Sequence, residues 1–335
     1  MRRAAAIALA LSIIGAAATE AGRADDVLRA GGRLSGQKLA GLDLAGADLR
    51  GADLARANLD GAILTGATLV GANLTGASLR GADLREAYLR EVRARGADLR
   101  GARLGSADLT RADLRDARLE GADLTRAVLE SANLAGADLN AAFLPGAKLA
   151  RARLAGAKLV AATLIGADLS QADLAGADLT RAELGAAHLA ESAPGAARMA
   201  GVTAAKVNFT GANLQNVDLR EATLTGAILV GANLGWANLT WVRARGANFS
   251  KASLVWARGY GADFSSANFS QAALTRTQLV GANASGADFR RARLRGTNFE
   301  QAELGGADFT DAEIAQVLFN AAKGVPAAAR GAHIR

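Results

Sequence analysis

From Leu44 onward a large apolar residue returns at every fifth position, as at Leu49, Leu54, Leu59, Leu64 and Leu69. The phase holds to Phe319, which makes 56 positions, and 48 of them are Leu or Phe. Two residues before each stands Ala as a rule, one before is often Asp or Asn, and two after is often Gly. The unit reads Ala-(Asp/Asn)-Leu-x-Gly, as in Ala47-Asp48-Leu49-Arg50-Gly51 and Ala72-Asn73-Leu74-Thr75-Gly76. A period of five suits neither a helix nor a strand. On an α-helix each Leu would rotate by about 140° from the last, leaving no common face to bury. A chain that turns a corner every five residues resolves this. Each Leu then points inward from one side of a coil and the small Ala fits beside it. The Asx side chain bonds to backbone at the bend, and Gly relieves crowding there. Coils stacked at strand spacing, about 4.7–4.9 Å, pair their backbone groups with the coils above and below.

These units resemble the pentapeptide-repeat family over nearly the whole chain beyond residue 40. The resemblance implies an all-β fold, a right-handed quadrilateral β-helix with four repeats, or 20 residues, per coil. Fifty-six repeats then make about 14 coils. Residues 20 apart should stack in columns. One such column runs Asp98, Arg118, Asp138, Lys158, Asp178, Arg198, Asp218, with charges alternating in sign. Another holds Phe209, Leu229, Phe249, Phe269, Phe289 and Phe309, an inward aromatic stack in the C-terminal half. Ala244 and Ala284 each precede a Phe by one repeat, where a small residue makes room for the ring.

The layout reads as an address at 1–24, an N-terminal cap at 25–40, a β-helix at 41–319 and a C-terminal cap or tail at 320–335. Between residues 191 and 206 the repeat degrades, yet the five-residue phase resumes unshifted at Phe209. An irregular coil in register explains this with fewest coincidences; a loop as long as one coil is the alternative. The block also suits a seam between halves at about 40–190 and 207–319. From Ala312 to Gly324 the pattern predicts a short amphipathic helix with a glycine stop, able to cap the β-helix or join two copies as a homodimer.

Arg2 and Arg3, an uncharged run from Ala4 to Ala18 and the small residues Gly22 and Ala24 predict a secretory signal peptide cleaved after Ala24. The run is too short to span a membrane, and the bulky residue expected after a twin-arginine pair is absent. A periplasmic or secreted protein by the general route is the expectation. Losing the segment removes three arginines and one glutamate, so the net charge falls from +7 to +5. The absence of Cys excludes disulfides and thiolate metal sites, and two histidines exclude a multi-histidine zinc centre.

Against so regular a background, three surface features stand out. Arg80, Arg85, Arg90, Arg95 and Arg100 follow successive inward positions and predict a basic belt for anionic polymers or headgroups. Asp83, Glu86, Glu91 and Asp98 interleave with it, as on an ordinary solvated surface. Trp236, Trp241 and Trp256 take corner sites where Gly is usual, with Arg258 and Tyr260 among them, and Gly259 replaces an inward Leu so that this side dents inward. Ligand binding, self-association and covering of a local defect all fit the cluster. Asp288 and Asp308 are column neighbours, but Asx is the ordinary bend residue, and no metal is expected. His188 lies one coil from Asp168 without a marked nucleophile. The expectation is a non-enzymatic exported scaffold or binding module without a cofactor, engaging protein or an envelope polymer and not spanning a membrane. The family resemblance supplies an alternative, a DNA-mimicking gyrase inhibitor of the quinolone-protection type. That role implies an acidic cytoplasmic protein, and direct nucleic-acid binding is disfavoured because basic residues alternate with acids.

Overall fold

A computed structural model describes residues 34–185 and 199–330. It divides into two compact units, Met1–Ala162 and Thr163–Arg335, each a β-helix with 20-residue coils. The division falls before residue 163, so the seam predicted at 191–206 is not where the units part. The signal segment, residues 25–33 of the predicted cap, His188, Pro194, Arg198 and His333 lie outside the described residues.

The five-residue unit builds one side of a coil. In Leu54–Ala57 the amide of Ala57 donates to the Leu54 carbonyl at 3.0 Å, and Arg56 between them has φ +56°. A positive φ at the third residue of a hydrogen-bonded turn marks type II geometry. This is why glycine recurs at the corner, as at Gly51 with φ +64°. The Asx carboxylate or amide reaches two residues forward to the same bend: Asn58 Oδ1 accepts from the Asp60 amide at 2.9 Å, and Asp123 Oδ1 from the Thr125 amide at 3.0 Å. Between coils, Leu59 donates to the Ser78 carbonyl at 2.7 Å while Asn58 donates to the Gln37 carbonyl below at 2.8 Å. The parallel bridges join residues 20 apart, from Lys38 with Asn58 to Glu303 with Lys323. Leu and Ala line the bore and are almost wholly buried. That settles a 20-residue column over any other multiple of five.

One stretch departs from it. Asp173 pairs with Thr203, Asp178 with Asn208 and Glu183 with Asn213, all 30 residues apart. The chain between Gly185 and Met199 therefore holds ten residues more than a coil needs. Neither predicted reading survives: the coil is not in register, and the surplus is half a coil. Ten is a multiple of five, so the apolar phase passes through intact while every column jumps two sides. The charge column accordingly ends early. Asp98 pairs along the coil axis with Arg118 and Asp138 with Lys158, but Asp178 lies beside Asn208. At least two of the 56 repeat positions fall in the surplus stretch, so 56 divided by four overstates the number of coils.

The C-terminal expectation is also corrected. Residues 312–323 continue the β-helix, with Glu313 bridged to Arg293, Leu318 to Asn298 and Lys323 to Glu303. Phe319 stacks on Phe299 at 5.6 Å, which fixes the backbone in the coil conformation. The described helix is a single turn, Ala327–Arg330. Likewise coil pairing already starts at Leu34, whose amide donates to the Asp53 carbonyl, six residues earlier than predicted.

Within Thr163–Arg335 the bore changes character. Phe249, Phe269, Phe289 and Phe309 stack at 4.8–5.1 Å, with Phe264 edge-on to the first pair and Phe299 edge-on to the last. Ala244 and Ala284 flank Phe264 in its own column and leave room for the ladder.

Candidate functional site

The three tryptophans bound one side of the β-helix. Trp236, Trp256 and Arg276 follow one another up one corner column; Trp241 and Gly261 occupy the next corner. All three tryptophans hold positive φ, 58–62°. Bulky residues avoid that region at a cost of about 1–2 kcal/mol, so the fold itself would favour glycine here.

The two corners do different things. Trp236 and Trp256 stack at 4.9 Å with planes 10° apart, and the Arg276 guanidinium caps Trp256 at 4.6 Å from its centroid. That column is closed: each inner ring face already has a partner. Trp241 is open. Its benzo carbons Cε3 and Cη2 lie 2.5 and 2.7 Å from where a Cβ on Gly261 would sit, with Cζ3 between them. The ring therefore lies over the glycine backbone and remains 63% exposed. Gly261 is needed here for space as well as for its φ of +59°.

Arg258 and Tyr260 fall between the two corners, one coil above Asn238 and Thr240, and both are exposed. No dent forms at Gly259: its amide donates to Gln278 O at 2.7 Å and the Arg258 carbonyl accepts from Leu239 at 2.6 Å. A Cβ at Gly259 would meet Leu279 Cδ2 at 2.9 Å and Phe264 Cε2 at 3.2 Å, so those side chains fill the space an inward Leu would take. The core under the face needs no covering.

Sequence reading passed over the cations beyond Trp241. Arg243 and Arg245 occupy the adjoining side, and Arg243 Nη2 reaches only the Thr223 hydroxyl, at 3.1 Å. Among the described residues no carboxylate lies within ion-pairing distance of Arg243, Arg245, Arg258 or Arg276. The signal was available as Arg243 and Arg245 at i+2 and i+4 from Trp241, on the outward positions of one side.

The basic belt has the opposite electrostatics. Arg80 and Arg100 both bind Asp98, at 2.6 and 2.7 Å; Arg85 binds Asp83 at 2.6 Å, Arg95 binds Asp116 at 3.2 Å and Arg90 meets Asp108 at 3.7 Å. The belt is where the sequence puts it, but each guanidinium is committed to a carboxylate. Asp98 is held well below the usual carboxylate range, first by the Arg100 hydrogen bonds and then, against the cost of burial, by Arg80. Asp288 is paired to Arg290 at 2.7 Å, and the same side chain reaches Asp308 at 3.7 Å, so a guanidinium stands between the two carboxylates.

A β-helix whose walls repeat without a convergent polar pocket, and whose one anomaly is an exposed aromatic and cationic side, defines a repeat protein built for surface display. The chain belongs to the pentapeptide-repeat family. The family profile "Pentapeptide repeats" matches residues 33–66, 67–105, 107–146, 147–185, 205–240 and 237–276, and "Pentapeptide repeat region" matches 260–323. Among solved structures, it is 32% identical to HetL of the cyanobacterium Nostoc sp. strain PCC 7120, a pentapeptide repeat protein involved in heterocyst differentiation regulation. That match covers 75% of this chain and 89% of HetL, with a TM-score of 0.19. QnrB1, a plasmid-mediated fluoroquinolone resistance protein, is 19% identical over 54% of this chain and 90% of its own, TM-score 0.30. A pentapeptide repeat protein of the Arabidopsis thaliana thylakoid lumen is 33% identical over 32% of this chain and 71% of its own, TM-score 0.16. No curated protein matches significantly.

Proposed function

We propose that this chain is an exported, non-enzymatic binding module, and that the side bounded by Trp236, Trp241 and Trp256 is its contact surface. Export rests on the charged start, apolar run and small-residue site of residues 1–24. Among the described residues no helix is long and apolar enough to cross a membrane. The observation that carries the reading is the exposed Trp241 ring, held over Gly261 at a corner where the backbone favours glycine. A ring that fills no core and is held at a conformational cost fits a role outside the fold.

The test compares the full chain with its Trp236→Ala/Trp241→Ala/Trp256→Ala variant, each expressed in a Gram-negative host, fractionated and cross-linked in place. The expected result is an envelope location for both and loss of the main cross-links in the variant. Identical cross-links would remove this surface from the function, and a cytoplasmic location would remove export. End-to-end pairing of two copies belongs to the same reading, through the last coil with its half-exposed Leu318. Sedimentation at rising concentration reads it.

The gyrase-inhibitor reading needs an acidic surface. This chain carries +7, and its unpaired arginines cluster on one region. Supercoiling by gyrase is expected to be unaffected by the mature protein.

A further inference from the structure

Resting on that contact surface, we propose that its ligand is an anionic polysaccharide, with Trp241 as the sugar-stacking platform and Arg245 and Arg258 as the groups that select carboxylate or sulfate charge. Three observations lead there. First, the Trp241 ring is backed by Gly261 and half open, whereas Trp236 and Trp256 stack on one another and Arg276 closes the top. The surface thus offers one flat apolar plate, the size of a single sugar ring, beside a rigid aromatic ridge. A single strand of nucleic acid needs a succession of open rings for successive bases, and only one is offered.

Second, the cations here lack carboxylate partners among the described residues, while those of the belt at Arg80–Arg100 are paired. Unpaired guanidinia at the surface attract anions and match carboxylate geometry through two parallel N–H donors. Third, the ground between the corners is flat and polar. Asn238 Oδ1 already accepts from the Thr240 amide and hydroxyl, at 3.1 and 2.7 Å. Protein partners draw their affinity from anchors seated in desolvated pockets, and a flat β-helix side presents none. A chain of hydroxylated, charged rings suits a plate, a ridge and flanking guanidinia repeated at the coil spacing.

Titration of the full-length protein with polygalacturonate tests this, read by tryptophan fluorescence and calorimetry, with neutral dextran and poly(dT) as the comparison polymers. The expected result is saturable binding of polygalacturonate that weakens as salt rises from 50 to 200 mM, and no binding of dextran. Trp241→Ala should weaken it about tenfold, and Arg245→Gln and Arg258→Gln severalfold each. Trp241→Gly checks the fold, since it restores the residue the corner favours and should still lose the ligand. Equal binding of dextran, tighter binding of poly(dT), or an unchanged Trp241→Ala variant would overturn the proposal. If no polymer binds while the triple tryptophan variant still loses its envelope cross-links, the polysaccharide is wrong and the contact surface stands. If neither responds, both readings fall.

Discussion

Within Met1–Ala162 the described bore is built of leucine and alanine, and the arginine belt on its outside is tied down by Asp83, Asp98, Asp108 and Asp116. Within Thr163–Arg335 phenylalanines replace leucines along a bore column, and arginines stand beside tryptophan instead of beside carboxylate. The backbone is the same in both: type II corners, Asx bends and bridges at 20 residues. What differs is where the side chains put their bonding capacity. In the first unit charge pairs close on themselves; in the second, aromatic groups stiffen the inside while cations are left for something else. A repeat backbone supplies the scaffold, and departures from the repeat carry the individuality.

The sharpest way to break this comparison is through the bore. Phe269 stacks on Phe249 and Phe289 and receives Phe264 edge-on. Phe269→Ala should cost about 3–5 kcal/mol, against about 2–5 for Leu124→Ala in the other unit. The aromatic contacts should put it in the upper part of that range. All three tryptophans lie in Thr163–Arg335, so fluorescence reports that unit alone while circular dichroism reports both. In urea, Phe269→Ala should lower the fluorescence midpoint and Leu124→Ala should leave it nearly in place, because coils contact only their neighbours. Equal shifts from both would mean the two units unfold as one and the contrast has no energetic content.

Next in size is the carboxylate at the centre of the belt. Asp98 is ionised more readily in the folded chain than in the unfolded one, where its value is about 3.9. Its contribution is therefore complete above about pH 4 and is lost as pH falls further, through the folded value. Asp98→Asn should cost about 1–2 kcal/mol at pH 7, from the loss of charge-assisted hydrogen bonds to Arg80 and Arg100. The deficit should shrink between pH 4 and pH 2, where the wild type loses the same bonds. A deficit that stays constant over that range would show the belt to be a surface ornament in energetic terms.

How much of this was legible without coordinates follows from what a period can encode. The five-residue phase carries the corner, the inward Leu and the Asx bend, because each is a local consequence of one unit. The 20-residue column was legible too, from the phenylalanine stack and the alternation Asp98, Arg118, Asp138. The half-coil surplus before Met199 was not, since ten residues leave a period of five untouched. The segment 312–323 misled for a related reason: Ile314, Val317 and Leu318 imitate a helical face, while Phe299 below selects the coil by holding Phe319. The tryptophan cluster was visible as a breach of the corner rule. The pairing state of the arginines around it was hidden, because it depends on which neighbours lie one coil away and on adjoining sides.

Ala94 gives a smaller handle on the first unit. It stands where a Leu belongs, and a small apolar void opens there among Leu74, Leu89, Leu99 and Leu114. Ala94→Leu should stabilise that unit by about 1 kcal/mol by filling it, seen as a higher urea midpoint in circular dichroism with the fluorescence midpoint unmoved. Destabilisation would mean that the neighbouring leucines have already closed the gap and the new side chain overpacks it.

The smallest expected change in stability belongs to the residue expected to matter most for binding. Trp241→Gly removes an exposed ring and relieves a left-handed conformation worth about 1 kcal/mol, offset in part by the extra freedom glycine gains when unfolded. The net should lie between zero and a slight gain, a change of no more than a few degrees in the fluorescence-independent melting point. Trp241 would then be a residue the fold bears and does not use, the reverse of Phe269. A loss of several kcal/mol would instead make the ring a structural cover over Gly261, and the second unit's tryptophans would join its phenylalanines as packing.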